Sequence, residues 1–146
     1  MSTTIESTQV YQVFIKASAE QIWQAIVDPE LTVQYFHGVR ITVTADERRS
    51  SMAGDGVANG SRVLEFDPPR RLIHEWSSYY DEEMAKEPFS RVTWEIEPQE
   101  GGYCLLTLVH DQLAGSPKTA ASVGGRGWMF VLSGLKTLVE TGKGLA

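Results

Sequence analysis

Between residues 8 and 16 the sequence TQVYQVFIK alternates, with Tyr11, Val13 and Ile15 on one side and Gln12, Phe14 and Lys16 on the other. A period of two predicts a half-buried strand. The period then changes: Ile22, Trp23, Ile26 and Val27 recur at helical spacing, and Ser18 with Gln21 three residues on forms an S-x-x-Q capping box. This predicts a helix over 19–27. Asp28-Pro29 restarts the chain as a short second helix carrying Leu31, Val33, Tyr35 and Phe36, which His37-Gly38 ends.

From residue 40 the alternating pattern returns. RITVTA (40–45), SRVLEFD (61–67), RLIHEWSS (71–78), SRVTWEIEP (90–98) and YCLLTLVHDQL (103–113) read as strands, with a polar, glycine-containing loop between the first two. Pro68-Pro69, DEEMAKEP and Gly101-Gly102 are joints that favour short antiparallel connections. After the small-residue linker AGSPKTAASVGG, residues 126–142 place Trp128, Val131, Leu132, Leu135, Leu138 and Val139 on one broad face, with Gly142 as a C-terminal cap. The order is strand, two short helices, five strands and one long helix. It predicts an α+β domain in which a curved antiparallel sheet of about six strands buries its concave face against the last helix.

A length of 146 residues suits one domain, here 1–146, and a 42% hydrophobic share interleaved with polar residues suits a folded core. The formal net charge of −6 opposes binding to phosphate backbones, so nucleic acid is not an expected partner. Arg48-Arg49 and Arg70-Arg71 each lie beside acidic residues and read as solvated turn charges. No apolar run reaches membrane-spanning length; the longest, WMFVLSGLKTLV, is interrupted by Ser133, Gly134 and Lys136. The single cysteine, Cys104, has no intrachain disulfide partner. The start MSTTIESTQVYQ lacks the basic and apolar regions of a signal peptide, so a cytoplasmic protein is expected.

Candidate chemistry is sparse. G-x-S-x-G, H-E-x-x-H and a P-loop are all missing, and His37, His74 and His110 are too scattered for a metal site, so neither metal nor cofactor is expected. His74 shares strand parity with Leu72 and Trp76, which makes it either a polar contact for a ligand or a surface or hydrogen-bonded core histidine; Glu75 has the opposite parity. His110 follows Leu106 and Leu108 on one face, and its neighbour Asp111 points opposite, so the two do not form a relay. Cys104 has the same parity and reads as a packed side chain. Trp76, Trp94 and Trp128 sit among apolar neighbours on two strands and the long helix, as pocket walls or as core; Trp23 reads as packing.

Taken in order, VFIKASAEQIWQAIVDPE, GDGVANGSRVLEFDPPRRLIHEW, SRVTWEIEP, LLTLVHDQL and GWMFVLSGLKTLVETG resemble the heat-shock-protein-90 ATPase activator homologue (AHSA-type) family of START-like proteins, over about residues 8–143. The superfamily also includes Bet v allergen proteins, START lipid-transfer domains and polyketide aromatase/cyclases. The resemblance implies a helix-grip fold enclosing an elongated, mostly apolar cavity. Tyr35, Phe36 and His37 would then lie near its mouth, with His74, Trp76, Trp94, His110, Trp128 and Leu132 as candidate ligand contacts. It implies no shared catalytic set, and fold alone does not assign function.

Three readings follow. The leading one is a non-catalytic or weakly catalytic protein that binds a small hydrophobic or aromatic molecule. The second is a cyclase, dehydratase or hydrolase using His74, His110 or a pocket carboxylate such as Glu65. The third is a chaperone-ATPase activator tied to stress response, although the longer eukaryotic activators carry a further amino-terminal domain not seen in this sequence. A free sheet edge leaves a homodimer open.

Overall fold

The computed structural model describes residues 8–52 and 58–145; residues 54–57 of the GDGVANG stretch lie outside them. Strand β1 (Gln9–Ile15) is followed by helices α1 (Ala19–Val27) and α2 (Pro29–Thr32). The capping box forms as its sequence requires: the Gln21 N–H donates to Ser18 Oγ at 3.1 Å and the Ser18 N–H to Gln21 Oε1 at 2.9 Å. Asp28 caps α2, its carboxylate accepting from the Glu30 N–H. The chain reverses at His37 and Gly38, both at positive φ (52° and 73°).

Six strands then run as an antiparallel meander: β2 (Val39–Val43), β3 (Glu47–Met52), β4 (Ala58–Asp67), β5 (Arg71–Trp76), β6 (Ser90–Gln99) and β7 (Tyr103–Asp111). Strand β1 adds beside β7, giving one seven-stranded sheet in the order β1-β7-β6-β5-β4-β3-β2. This is the antiparallel sheet expected from the sequence, with one strand beyond the six read there. Segment ERRSSM, read as loop, is β3, and β4 starts at Ala58 rather than at 61. Neither shows apolar alternation there, because their register with neighbouring strands, not a greasy face, holds them in the sheet.

The acidic joint between β5 and β6 forms a short helix, α3 (Glu82–Ala85). The linker read at 114–125 is likewise helical. Helix α4 (Pro117–Ser122) passes through one π-turn, Val123–Gly127, into α5 (Trp128–Thr141), so the terminal helix runs over 117–141 rather than starting near 126. Composition hid this start, since Gly124 and Gly125 argue locally against helix. Tertiary contacts supply what the local sequence lacks. The Ser116 hydroxyl donates to the Pro88 carbonyl instead of capping, and the Glu87 carboxylate takes the capping role from across the chain. It accepts from the Lys118 and Thr119 N–H groups (3.0 and 2.8 Å) and from Thr119 Oγ1 (2.7 Å). Partial burial works against its charge, but these donors outweigh burial and hold the carboxyl below its ordinary range.

The buried face of the terminal helix, Trp128, Val131, Leu132, Leu135 and Leu138, lies in one core with the concave residues Leu72, Trp76, Val92, Trp94, Ile96, Leu106 and Leu108. Each such large apolar side chain stabilises the fold by about 1.5–3 kcal/mol on burial. Helix α5 comes so close to the α2–β2 connection that a Cβ at Gly134 would stand 3.1 Å from Tyr35 Cβ. Tyr35 is thereby pinned, and its hydroxyl donates to the Ala25 carbonyl at 2.6 Å.

Replacing Glu87 with alanine exposes the first N–H groups of the terminal helix without disturbing the core. A loss of about 1–2 kcal/mol is expected in urea denaturation, and glutamine should restore part of it. A Glu87→Ala variant as stable as the parent would show that the helix start needs no cap from this side chain.

Candidate functional site

Strand register assembles the centre of the concave face. His74 on β5 and His110 on β7 both stand opposite Val92 of β6, which puts them in one row about two strand spacings, roughly 10 Å, apart. Trp94 stands one row away, opposite Leu72 and Leu108, and Trp76 pairs with Ser90 in the other direction. Above this row sits Trp128, whose ring meets Trp76, Trp94 and His110 at 5.2, 5.7 and 5.9 Å between centroids.

Each indole N–H finds an acceptor in this layer. Trp94 Nε1 donates to His74 Nε2 at 3.1 Å, Trp128 Nε1 to His110 Nδ1 at 3.0 Å, and Trp76 Nε1 to Ser78 Oγ at 3.0 Å. An indole donates only, so the bonded imidazole nitrogen is unprotonated and the other carries the hydrogen. His74 therefore donates from Nδ1 to the Glu75 carbonyl (2.9 Å), and His110 donates from Nε2 to Ser90 Oγ (2.7 Å). In the Ser90–His110 pair the serine is the acceptor, the reverse of the direction a serine nucleophile needs from its base. Both nitrogens of both rings are engaged, so neither imidazole offers a free base to a substrate.

Both histidines are fully buried. Burial, reinforced by the Arg48 charge, holds His74 well below 6.5; burial lowers His110 to about 4, with Asp111 pulling weakly the other way. Asp111 itself points to the opposite face and forms a two-pronged ion pair with Arg91, as strand parity requires. Cys104 is buried, its thiol pushed up by burial and its S–H directed at the Ala17 carbonyl.

Beside the tryptophan layer lies a half-open cavity of about 410 Å³, within the range of small-ligand sites. Phe36, Val39, Trp76, Val123, Trp128 and Val131 supply apolar wall, and His37, Ser77, Tyr80 and Ser122 add polar atoms. Tyr80 and Ser122 join their hydroxyls at 3.1 Å, and the His37 ring stacks on Phe130. The π-turn has a direct effect on this wall. One inserted residue rotates the helix beyond it by about 100° relative to an unbroken α-helix, and Val123, Gly127 and Trp128, which border that insertion, all face the cavity.

Of the residues singled out in the sequence as mouth or ligand contacts, Phe36, His37, Trp76 and Trp128 line the cavity. Trp94, His74 and His110 form the layer behind them, and Leu132 packs in the core. Tyr35 does not reach this cavity; its hydroxyl is committed to Ala25. Glu65, considered as a pocket carboxylate, lies on the outer surface beside Arg71, because a register shift between Val63 and Glu65 turns it outward. Arg70 and Arg71 are solvent-facing ion-pair partners as expected, but Arg48 is not. It is only 9% exposed, on the concave side opposite Val43, with its guanidinium 5.1 Å from the Trp76 ring centre and 5.5 Å from that of Phe36. Burial pushes it down to about 10, which leaves it charged at neutral pH. No apolar alternation around Arg48 marks its face in the sequence; the pairing of β3 with its neighbours turns it inward.

Among the described residues no cluster of three His, Cys, Asp or Glu side chains is arranged to hold a metal, and no helix is long and apolar enough to cross a membrane. The sheet grips the terminal helix with an apolar pocket between them, which defines the helix-grip arrangement. A family model for activator of Hsp90 ATPase homolog 1-like proteins matches residues 16–140, and the chain belongs to that family. No curated protein matches the sequence significantly. Similar solved structures include DynU16, a protein of the dynemicin biosynthetic locus (TM-score 0.74, 23% identity, 96% of this chain and 49% of that one). PFC0360w, an Hsp90 activator from Plasmodium falciparum, gives 0.72, 16%, 92% and 97%. MLL2253 from Mesorhizobium loti gives 0.71, 21%, 91% and 96%. At these identities the likeness is one of fold.

Neutral histidines make stability depend on pH. In the unfolded chain both titrate near 6.5, so between that value and about 4 the unfolded state binds more protons. Their contribution is complete above about pH 6.5 and is lost as pH falls, at up to about 1.4 kcal/mol per unit per histidine. Urea midpoints measured from pH 7 to 4.5 should fall, and His110→Gln should flatten the slope by about one proton. An unchanged slope in that variant would show that His110 is not held neutral.

Proposed function

We propose that this protein binds a small hydrophobic molecule in the cavity beside Trp76 and Trp128 and catalyses no reaction on it. The observation that carries this reading is a ligand-sized cavity with apolar walls, next to two histidines whose nitrogens are all committed to internal hydrogen bonds. An apolar wall of that size gains from displacing water onto a ligand, and its aromatic rings offer flat contact area. The polar atoms of Tyr80, Ser122, Ser77 and His37 would orient a ligand rather than transform it.

A second reading follows from the family itself and from the likeness in fold to an Hsp90 activator from Plasmodium falciparum. Met129 and Phe130 lie exposed on the outer side of α5, where a chaperone surface would find apolar contacts. Retention of the purified chain on immobilised cognate Hsp90, with a rise in ATPase rate that Phe130→Ser abolishes, would support it. No retention at micromolar protein would remove it.

The cavity reading is tested with the neutral dye N-phenyl-1-naphthylamine, whose emission rises in apolar surroundings. Saturable binding with a micromolar dissociation constant is expected, together with a raised melting temperature. Ser122→Trp, at an exposed position on the cavity wall, should weaken binding at least tenfold without unfolding the protein. No saturable signal from the folded wild-type chain up to the solubility of the dye would sink the proposal.

A further inference from the structure

Arg48 is charged, nine-tenths buried and unserved. Among the described residues no carboxylate comes within 4 Å of it and its guanidinium makes no hydrogen bond, whereas the other arginines of β4 to β6 each face an acidic partner: Arg62 with Glu75, Arg70 with Asp67, Arg71 with Glu65 and Glu95, Arg91 with Asp111. No side-chain nitrogen or oxygen sealed from water lacks a hydrogen-bond partner among the described residues, so the unbonded guanidinium nitrogens keep contact with accessible space. The guanidinium lies within 5.5 Å of the ring centres of Phe36 and Trp76, two walls of the cavity, and Arg48 itself stands behind that wall rather than in the lining.

Ring faces attract a cation but do not accept its five N–H donors, and an arginine removed from water without an acceptor is costly. The fold retains this arrangement in a protein of net charge −6, where acidic partners are abundant elsewhere on the surface. A guanidinium lying beside two aromatic rings with no carboxylate on it offers its planar fork of donors to a planar, two-oxygen anion.

Building on the cavity reading above, we infer that the natural ligand is an amphipathic anion: a hydrophobic or aromatic body seated against Trp76, Trp128 and Val131, with a carboxylate or similar oxyanion that pairs with Arg48. A carboxylate would complete the hydrogen bonding of the guanidinium and neutralise its charge in one contact. Neutral hydrophobes of the same shape would fill the cavity and leave the arginine unserved. The site thus selects by charge as well as by shape.

The test compares two displacers of bound N-phenyl-1-naphthylamine with the same ring system, 2-naphthoate and 2-naphthalenemethanol, at pH 7.5. On the wild-type protein 2-naphthoate should displace the dye at a concentration at least tenfold lower. In Arg48→Met the two should become equal within about threefold while the dye itself still binds, and Arg48→Lys should retain part of the preference; circular dichroism confirms that each variant is folded. Equal displacement on the wild-type protein overturns the inference without any variant and leaves the cavity reading standing, as does a preference that survives in Arg48→Met. A wild-type protein that does not bind the dye removes the cavity reading, and the anion inference falls with it.

Discussion

An indole N–H buried in a protein core must donate to something, and the arrangement of this molecule's interior depends on how Trp94 and Trp128 do so. Trp94 stands on the sheet and Trp128 on the terminal helix, and each donates to an imidazole nitrogen of the concave face. The Trp128–His110 bond ties the helix to the seventh strand across the core. Its partner bond, from His110 to Ser90, ties that strand to the sixth. Loss of either acceptor would leave a buried donor unsatisfied, at a cost of about 1–3 kcal/mol. The direction of these bonds also fixes the tautomer and charge of both rings, so the interaction that locks helix to sheet also leaves the histidines without a nitrogen for base catalysis.

With both imidazoles committed, the chemistry facing the cavity passes to groups at its margins. The two rings that border Arg48, Phe36 and Trp76, arrive from different parts of the chain: one follows the second short helix, the other ends the fifth strand. A cation held this way sits in low dielectric, where electrostatic interactions are stronger than at the surface. The outward-facing ion pairs, such as Arg71 between Glu65 and Glu95, are exposed and contribute little.

The terminal helix shows how tertiary contacts override local preference. Its first turns are rich in small residues and contain two adjacent glycines, a composition that favours no helix by itself. Glu87, thirty residues upstream of Pro117 in the chain, satisfies the first free N–H groups. The π-turn that follows sets the orientation of Trp128, and through it the shape of the cavity wall.

Local patterning determined much of this protein. Period-two alternation in TQVYQVFIK and RLIHEW, the Ser18–Gln21 capping box, the Asp28-Pro29 restart and the apolar face of the last helix were all legible, and with them the α+β class. Strand parity is a property of the backbone, so it also separated His74 from Glu75 and His110 from Asp111. What the pattern did not carry was anything decided by a distant partner. The third strand has no apolar alternation because pairing with its neighbours holds it, and the burial of Arg48 follows from that pairing. The outward turn of Glu65 comes from a register shift, and the early helix start from Glu87. Side-chain periodicity reports which face a residue takes on its own element; only the packed structure decides what stands opposite that face, and so whether it lines a cavity, binds a neighbour or meets water.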